Sequence, residues 1–191
     1  MPRWQADTQQ RLVQAALDLY AEQGYERTTA GEIADRAGVT SRTYFRYFPD
    51  KREVLFVSGQ AIREAIVAAT SRALATHTAF EAVLIGVTAG RDVFQSREFA
   101  RTREAVIATS EELHERELMK IASISAALTS LLLDAGHDEA TARITADAGV
   151  AVFVEATRRW QRGDDAPFGE LVRQAAQLLR EAATTRSSLV P

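Results

Sequence analysis

The sequence predicts an all-α protein of about nine helices, and three observations carry that prediction. Only four prolines and ten glycines interrupt 191 residues. Ala, Leu, Arg, Glu and Gln, all good helix formers, supply much of the rest, and β-branched residues do not alternate with polar ones over strand lengths. Capping boxes recur along the chain as Thr29-x-x-Glu32, Asp50-x-x-Glu53 and Thr78-x-x-Glu81.

Each helix can be justified in order. Asp7 caps a first helix with an apolar stripe of Leu12, Val13, Ala16, Leu17 and Tyr20, and Gly24 ends it. The box at Thr29 opens a short second helix carrying Ile33, Ala34 and Ala37, stopped by Gly38. Thr40 caps a third, from Ser41 to about Tyr47. Pro49 then breaks the chain, because the residue before a proline is pushed out of the α region. Asp50 starts a long helix with Val54, Ser58, Ala61, Ile62, Ala65 and Ile66 on one face. Beyond it the expected helices run from Thr78 to about Phe94, from Ser96 to about Ala108, and from Ser110 to about Ala135. Asp138 opens one to about Gly163, and Pro167 opens the last, to about Ala183.

The division of helix lengths predicts residues 1–50 as a small helical domain and 51–185 as a larger one. Residues 186–191 read as a disordered tail, and Ser187 to Pro191 look like half of a protease site added at the terminus. Composition narrows the function. The absence of cysteine excludes a disulfide framework, a thiolate zinc site, an iron–sulfur cluster and a cysteine nucleophile. Apolar runs fall far short of the roughly 20 residues that span a bilayer. The first residues hold no apolar signal core, so the expected setting is cytoplasmic, with no membrane partner.

Residues 29–48 carry the chemistry. They read as helix, tight turn and helix, with Gly38 at the bend, Val39 tucked between the helices and small Ala34 allowing close approach. Such a unit projects its second helix into a B-DNA major groove. That helix bears Ser41, Arg42, Thr43, Arg46 and Tyr47, hydroxyl and guanidinium groups suited to base edges and phosphates, and Lys51 follows.

Residues 8–55 resemble the N-terminal DNA-binding domain of TetR-family transcriptional regulators. The resemblance rests on Gly24-Tyr25, Thr28-Thr29, Glu32-Ile33-Ala34, Ala37-Gly38-Val39-Thr40, Thr43-Tyr44-Phe45-Arg46-Tyr47-Phe48 and Lys51-x-x-Val54-Leu55. It implies that Thr29 touches phosphate, that Ser41, Arg42 and Thr43 face bases and flanking phosphate, and that Tyr47 and Lys51 hold phosphate. Phe45 departs from the tyrosine that many members carry, so one phosphate contact is lost or passes to Tyr44 or Arg46.

The resemblance further implies a repressor that binds a palindromic double-stranded operator as a homodimer and is released by a small-molecule effector. Pairing through the last two helices would use Ala142, Ala146, Gly149, Phe153, Trp160, Leu171, Ala175 and Leu178. The implied effector pocket in the central helices has as candidates Ile62, Phe80, Leu84, Phe94, Arg103, Ile107, His114, Leu118, Ile121 and Ser125, which favour a lipophilic or aromatic molecule. The alternative is a small-molecule-binding or protein-interaction bundle without sequence-specific DNA binding.

Nothing in the sequence points to an enzyme, a cofactor or a metal. His114-Glu115 begins like a zinc-protease helix, but Leu118 stands where the second histidine belongs. Gly86 and Gly90 form no phosphate loop, and no Gly-x-Ser-x-Gly elbow exists.

Overall fold

A computed structural model describes residues 3–184, which form nine α-helices and no strands among the described residues. They are α1 (Arg3–Gln23), α2 (Ala30–Arg36), α3 (Ser41–Tyr47), α4 (Gly59–Ala73), α5 (Ala79–Ala89), α6 (Arg97–Ile107), α7 (Glu111–Asp134), α8 (Glu139–Gln161) and α9 (Phe168–Thr184). Two short 3₁₀ segments cover Glu53–Phe56 and Gly90–Val93. The predicted all-α class is borne out. The tail expected at 186–191 lies outside the described residues.

The chain divides into two compact units. One joins the N-terminal helices through Gly59 with Glu98–Met119, and the other joins Gln60–Arg97 with the chain from Lys120 onward. In the first unit Leu12, Ala16, Leu17 and Tyr20 of α1 are buried with Ile33 and Ala34 of α2 and Tyr44 of α3. Val106, Ile107 and Leu113 complete that core from far along the sequence. Polar groups fasten the same segment: the Tyr25 hydroxyl donates to Glu112 at 3.0 Å, and Arg116 grips Glu53 through two bonds of 2.7 and 2.9 Å.

The long helix expected from Asp50 does not form as such. The Asp50 carboxylate accepts from the backbone N–H groups of Arg52 and Glu53, at 2.8 and 2.9 Å, and a 3₁₀ segment follows. Arg103 Nε donates to the Leu55 carbonyl at 2.6 Å, which is the acceptor that a continuous helix would give to Gly59. With that carbonyl engaged elsewhere, helical pairing restarts only at Gly59. The helix expected to run to Phe94 likewise ends at Ala89 and passes into the second 3₁₀ segment.

Close approach organises the second unit. A Cβ on Gly149 would fall 2.1 Å from Val83 Cγ1, and one on Gly86 would fall 1.9 Å from Thr70 Oγ1. Glycine at these positions therefore lets the α8 backbone take the Val83 side chain of α5, and lets α5 approach the α4 backbone at Ile66 O. Phe94 sits among Phe153, Trp160 and Phe168, with ring centroids 5.5–5.9 Å away. This packing corrects the expected pairing surface. Ala142, Ala146, Gly149, Phe153, Trp160, Leu171 and Ala175 are buried inside one chain, and Leu178, 47% exposed, is the exception. The small residues serve contacts within the bundle.

Candidate nucleic-acid interface

The helix-turn-helix is built from locally satisfied ends. Thr29, in extended conformation, caps α2 by accepting from Glu32 N at 3.2 Å, and the Glu32 carboxylate accepts in return from Thr29 N and its hydroxyl, each at 2.8 Å. The Thr29 hydroxyl and N–H hold the Glu32 carboxyl below its ordinary range. At the bend Gly38 takes φ of 68°, the left-handed region that side chains resist. Thr40 then caps α3 by accepting from Thr43 N. Arg11 ties α1 to the bend through a 2.9 Å bond to the Ala37 carbonyl.

The α3 side chains part into two sets. Tyr44 is fully buried, and its hydroxyl donates to the Asp50 carbonyl at 3.0 Å; burial raises that phenol above its ordinary value. Phe48 is buried beside it, with ring centroids 5.6 Å apart. Ser41, Arg42, Phe45 and Arg46 are exposed, with Thr43 and Tyr47 half-buried. Arg42 has no ion-pair or hydrogen-bond partner among the described residues, and the Arg46 guanidinium lies 5.2 Å from the Tyr47 ring centre. Gly31 joins the starts of the two helices. A Cβ there would lie at ordinary contact distance from both hydroxyls, 3.8 Å from Thr29 Oγ1 and 3.9 Å from Ser41 Oγ, so the first turns of α2 and α3 lie close together.

Three of the expected phosphate and base contacts are corrected by this geometry. Tyr44 is a core residue, so it cannot inherit the contact that Phe45 lacks. The Tyr47 hydroxyl is covered and finds no hydrogen-bond partner among the described residues, so it is not presented to a ligand. Lys51 points its ammonium into the chain, donating to the carbonyls of Tyr25, Thr28 and Glu26 at 2.8, 3.2 and 3.3 Å. A surface cation in the sequence is thus an internal strut. The outward set that remains is Thr29, Ser41, Arg42, Thr43 and Arg46, joined by Phe45, which sequence reasoning had discounted.

The effector candidates fall in different units. Arg103, Ile107, His114 and Leu118 belong to the first. There Ile107 is core, Arg103 is engaged by Leu55 and by Glu117 at 2.6 Å, and His114 and Leu118 are exposed. Ile62, Phe80, Leu84, Phe94, Ile121 and Ser125 belong to the second. All six are half-buried; Phe94 fills the aromatic cluster and Ser125 donates to Asp147. Among the described residues no group of three or more His, Asp or Glu is placed to hold a metal ion. No helix there is long and apolar enough to cross a membrane.

Residues 12–57 match the family model for bacterial regulatory proteins of the tetR family. The N-terminal domain is a TetR-family domain. Over 62 residues, 32% of this chain, it is 45% identical to the HTH-type transcriptional regulator TcmR of Streptomyces glaucescens. Over 57 residues, 30% of this chain, it is 35% identical to the regulator HbdR of Aromatoleum sp. strain CIB. These matches span 27% and 25% of the two relatives' own lengths. The likeness in fold extends further. A regulator from Syntrophomonas wolfei, 15% identical, superposes with a TM-score of 0.65 over 97% of this chain and 100% of that one. FadR of Bacillus halodurans, 18% identical, does so at 0.59 over 94% and 97%, and SmeT in complex with triclosan, 17% identical, at 0.59 over 96% and 94%.

Proposed function

We propose that the protein is a ligand-responsive transcriptional regulator: a repressor that binds a palindromic operator as a homodimer and is released by a small lipophilic or aromatic effector. The observation that carries this reading is the outward face of α3, where Ser41, Arg42, Phe45 and Arg46 stand exposed on a helix pinned by buried Tyr44. A helix with that profile fits a major groove about 12 Å wide. The unpaired Arg42 guanidinium can give two parallel N–H groups to guanine O6 and N7, the commonest specific contact. Ser41 and Thr43 supply hydroxyls for base edges or phosphate, and Arg46 addresses the backbone; exposed Thr29 joins it only by turning its hydroxyl proton from Glu32 to a phosphate. The relatives of the N-terminal domain are themselves described as transcriptional regulators.

A seven-residue helix reads too few base pairs to find one site in a genome, so two copies are needed. A symmetric dimer sets them in successive major grooves, about 34–36 Å apart, on a palindrome. The apolar side chains left outside on the last two helices are Ile144, Leu178 and Leu179, at 66, 47 and 37% exposure, and they are the natural contact for a second copy. The effector would act by binding one arrangement of the dimer better than the other, typically by 1–3 kcal/mol. SmeT, which shares the fold, is a complex with triclosan, in keeping with an aromatic effector.

Selection of binding sites from a random duplex library tests the reading. The expected outcome is an enriched palindrome bound by a dimer, with affinity falling by about 10³–10⁵ between 50 and 200 mM salt for 6–10 phosphate contacts. A strictly monomeric protein at micromolar concentration, or a library that enriches no sequence, overturns it and leaves the bundle without specific DNA binding.

A further inference from the structure

Phe45 is an anomaly on an otherwise economical helix. Tyr44 and Phe48 turn inward and are buried, whereas Phe45 is 56% exposed. Its ring is set edge-on against Tyr44, with centroids 5.4 Å apart and planes at 85°, and Tyr44 is held by its bond to the Asp50 carbonyl. The exposed ring therefore rests on a fixed support. Ser41 and Arg42, four and three residues earlier, share its side of the helix, and exposed Arg46 follows it. The charge of Arg42, on the ring's side of the helix, suits a polyanion.

A phenyl ring has no hydrogen-bonding atom, so it can neither hold a phosphate oxygen nor read a donor or acceptor. In the major groove the one apolar group on a base edge is the 5-methyl of thymine, and phenylalanine is among the side chains that contact it. Resting on the reading of α3 as a recognition helix, we propose that Phe45 is a specificity-determining residue that packs on a thymine 5-methyl group in each half-site, beside the base pair addressed by Arg42. Covering that methyl removes apolar surface of both partners from water. The preference this creates separates thymine from cytosine at that position.

The test uses the full chain and duplexes enriched by the wild type, resynthesised with deoxyuridine in place of each thymine in turn. That exchange deletes the methyl and leaves the hydrogen-bonding edge intact. Wild type is expected to lose about fourfold in affinity per half-site at one symmetric position, the worth of one buried methyl-sized group. Phe45→Ala is expected to bind the thymine and uracil duplexes equally, while Phe45→Tyr, which keeps the ring, retains the difference. Tight binding that tolerates uracil everywhere overturns the assignment and leaves the DNA-binding reading standing. So does a Phe45→Ala variant as methyl-sensitive as wild type, or an enriched half-site with no invariant thymine. Failure to enrich any duplex overturns the underlying reading instead.

Discussion

The Lys51 ammonium lies 4.2 Å from the centre of the Tyr25 ring and 2.8 Å from that residue's carbonyl oxygen. It also collects the Glu26 and Thr28 carbonyls, so one cation satisfies the chain between α1 and α2. Charge-assisted bonds of this kind contribute about 1.5–3 kcal/mol. Lys51→Met should therefore lower stability by about that amount, read as a lower urea midpoint. The salt slope of operator binding should stay unchanged, since no phosphate contact is removed. A normal midpoint with a slope reduced by about one per half-site would return Lys51 to the phosphate backbone.

Gly149 and Val83 should couple. A Cβ at Gly149 meets Val83 Cγ1 at 2.1 Å, so Gly149→Ala should cost about 1–3 kcal/mol of stability by overpacking. Val83→Ala alone opens a cavity in the same place. The double variant should then be less destabilised than the two losses combined, with a coupling of about 0.5–3 kcal/mol in denaturant melts. Additive losses, or a Gly149→Ala variant that shifts the monomer–dimer equilibrium at unchanged monomer stability, would place Gly149 on an outer surface.

Local signals were legible in the sequence and distant ones were not. Thr40, Gly38 and Pro49 bound α3 at Ser41 and Tyr47 because caps and breakers act within a few residues. The four-residue spacing of Tyr44 and Phe48 suits an inward stripe, yet the resemblance counted Tyr44 among the phosphate contacts, and only the fold shows it as core. The interrupted helix after Asp50 was hidden, because it depends on Arg103 reaching Leu55 across 48 positions. Lys51 was misread for a related reason: the sequence displays a cation but not the three carbonyls folded around it. The stripe from Ala142 to Gly149 announced close helix contact, yet nothing in its composition could say whether the partner was α5 or a second copy.

The capping boxes give the fold an acid limit. Hydrogen bonds from Thr29 to Glu32, from Thr78 to Glu81 and at Asp138 hold these carboxyls below their ordinary values. A folded-state value below the unfolded one adds stability that is complete above the unfolded value, 4.5 for Glu32, and disappears as pH falls through the folded value. Glu32→Gln cannot titrate, so its stability should trail wild type at pH 7 and converge with it in acid. Thermal melts at several pH values check this. A gap that persists undiminished below the folded value would show that Glu32 acts through packing and not through its charge.

Arg42 and Arg46 should separate specificity from affinity. Both are exposed on α3, but Arg42 has no partner among the described residues, whereas Arg46 leans on the Tyr47 ring at 5.2 Å. Arg42 sits in the first turn, the part of a recognition helix that enters the groove. Loss of a bidentate contact there costs about 1–3 kcal/mol and frees one base pair per half-site. Arg46, in the last turn, is placed for phosphate, which carries no sequence. Arg42→Ala should thus flatten the preference at one symmetric position in competition binding, while Arg46→Ala weakens all duplexes alike and shallows the salt dependence. The reverse pattern would mean that the helix enters the groove by its other end, and with it the placement of Phe45 over a thymine methyl would have to be redrawn.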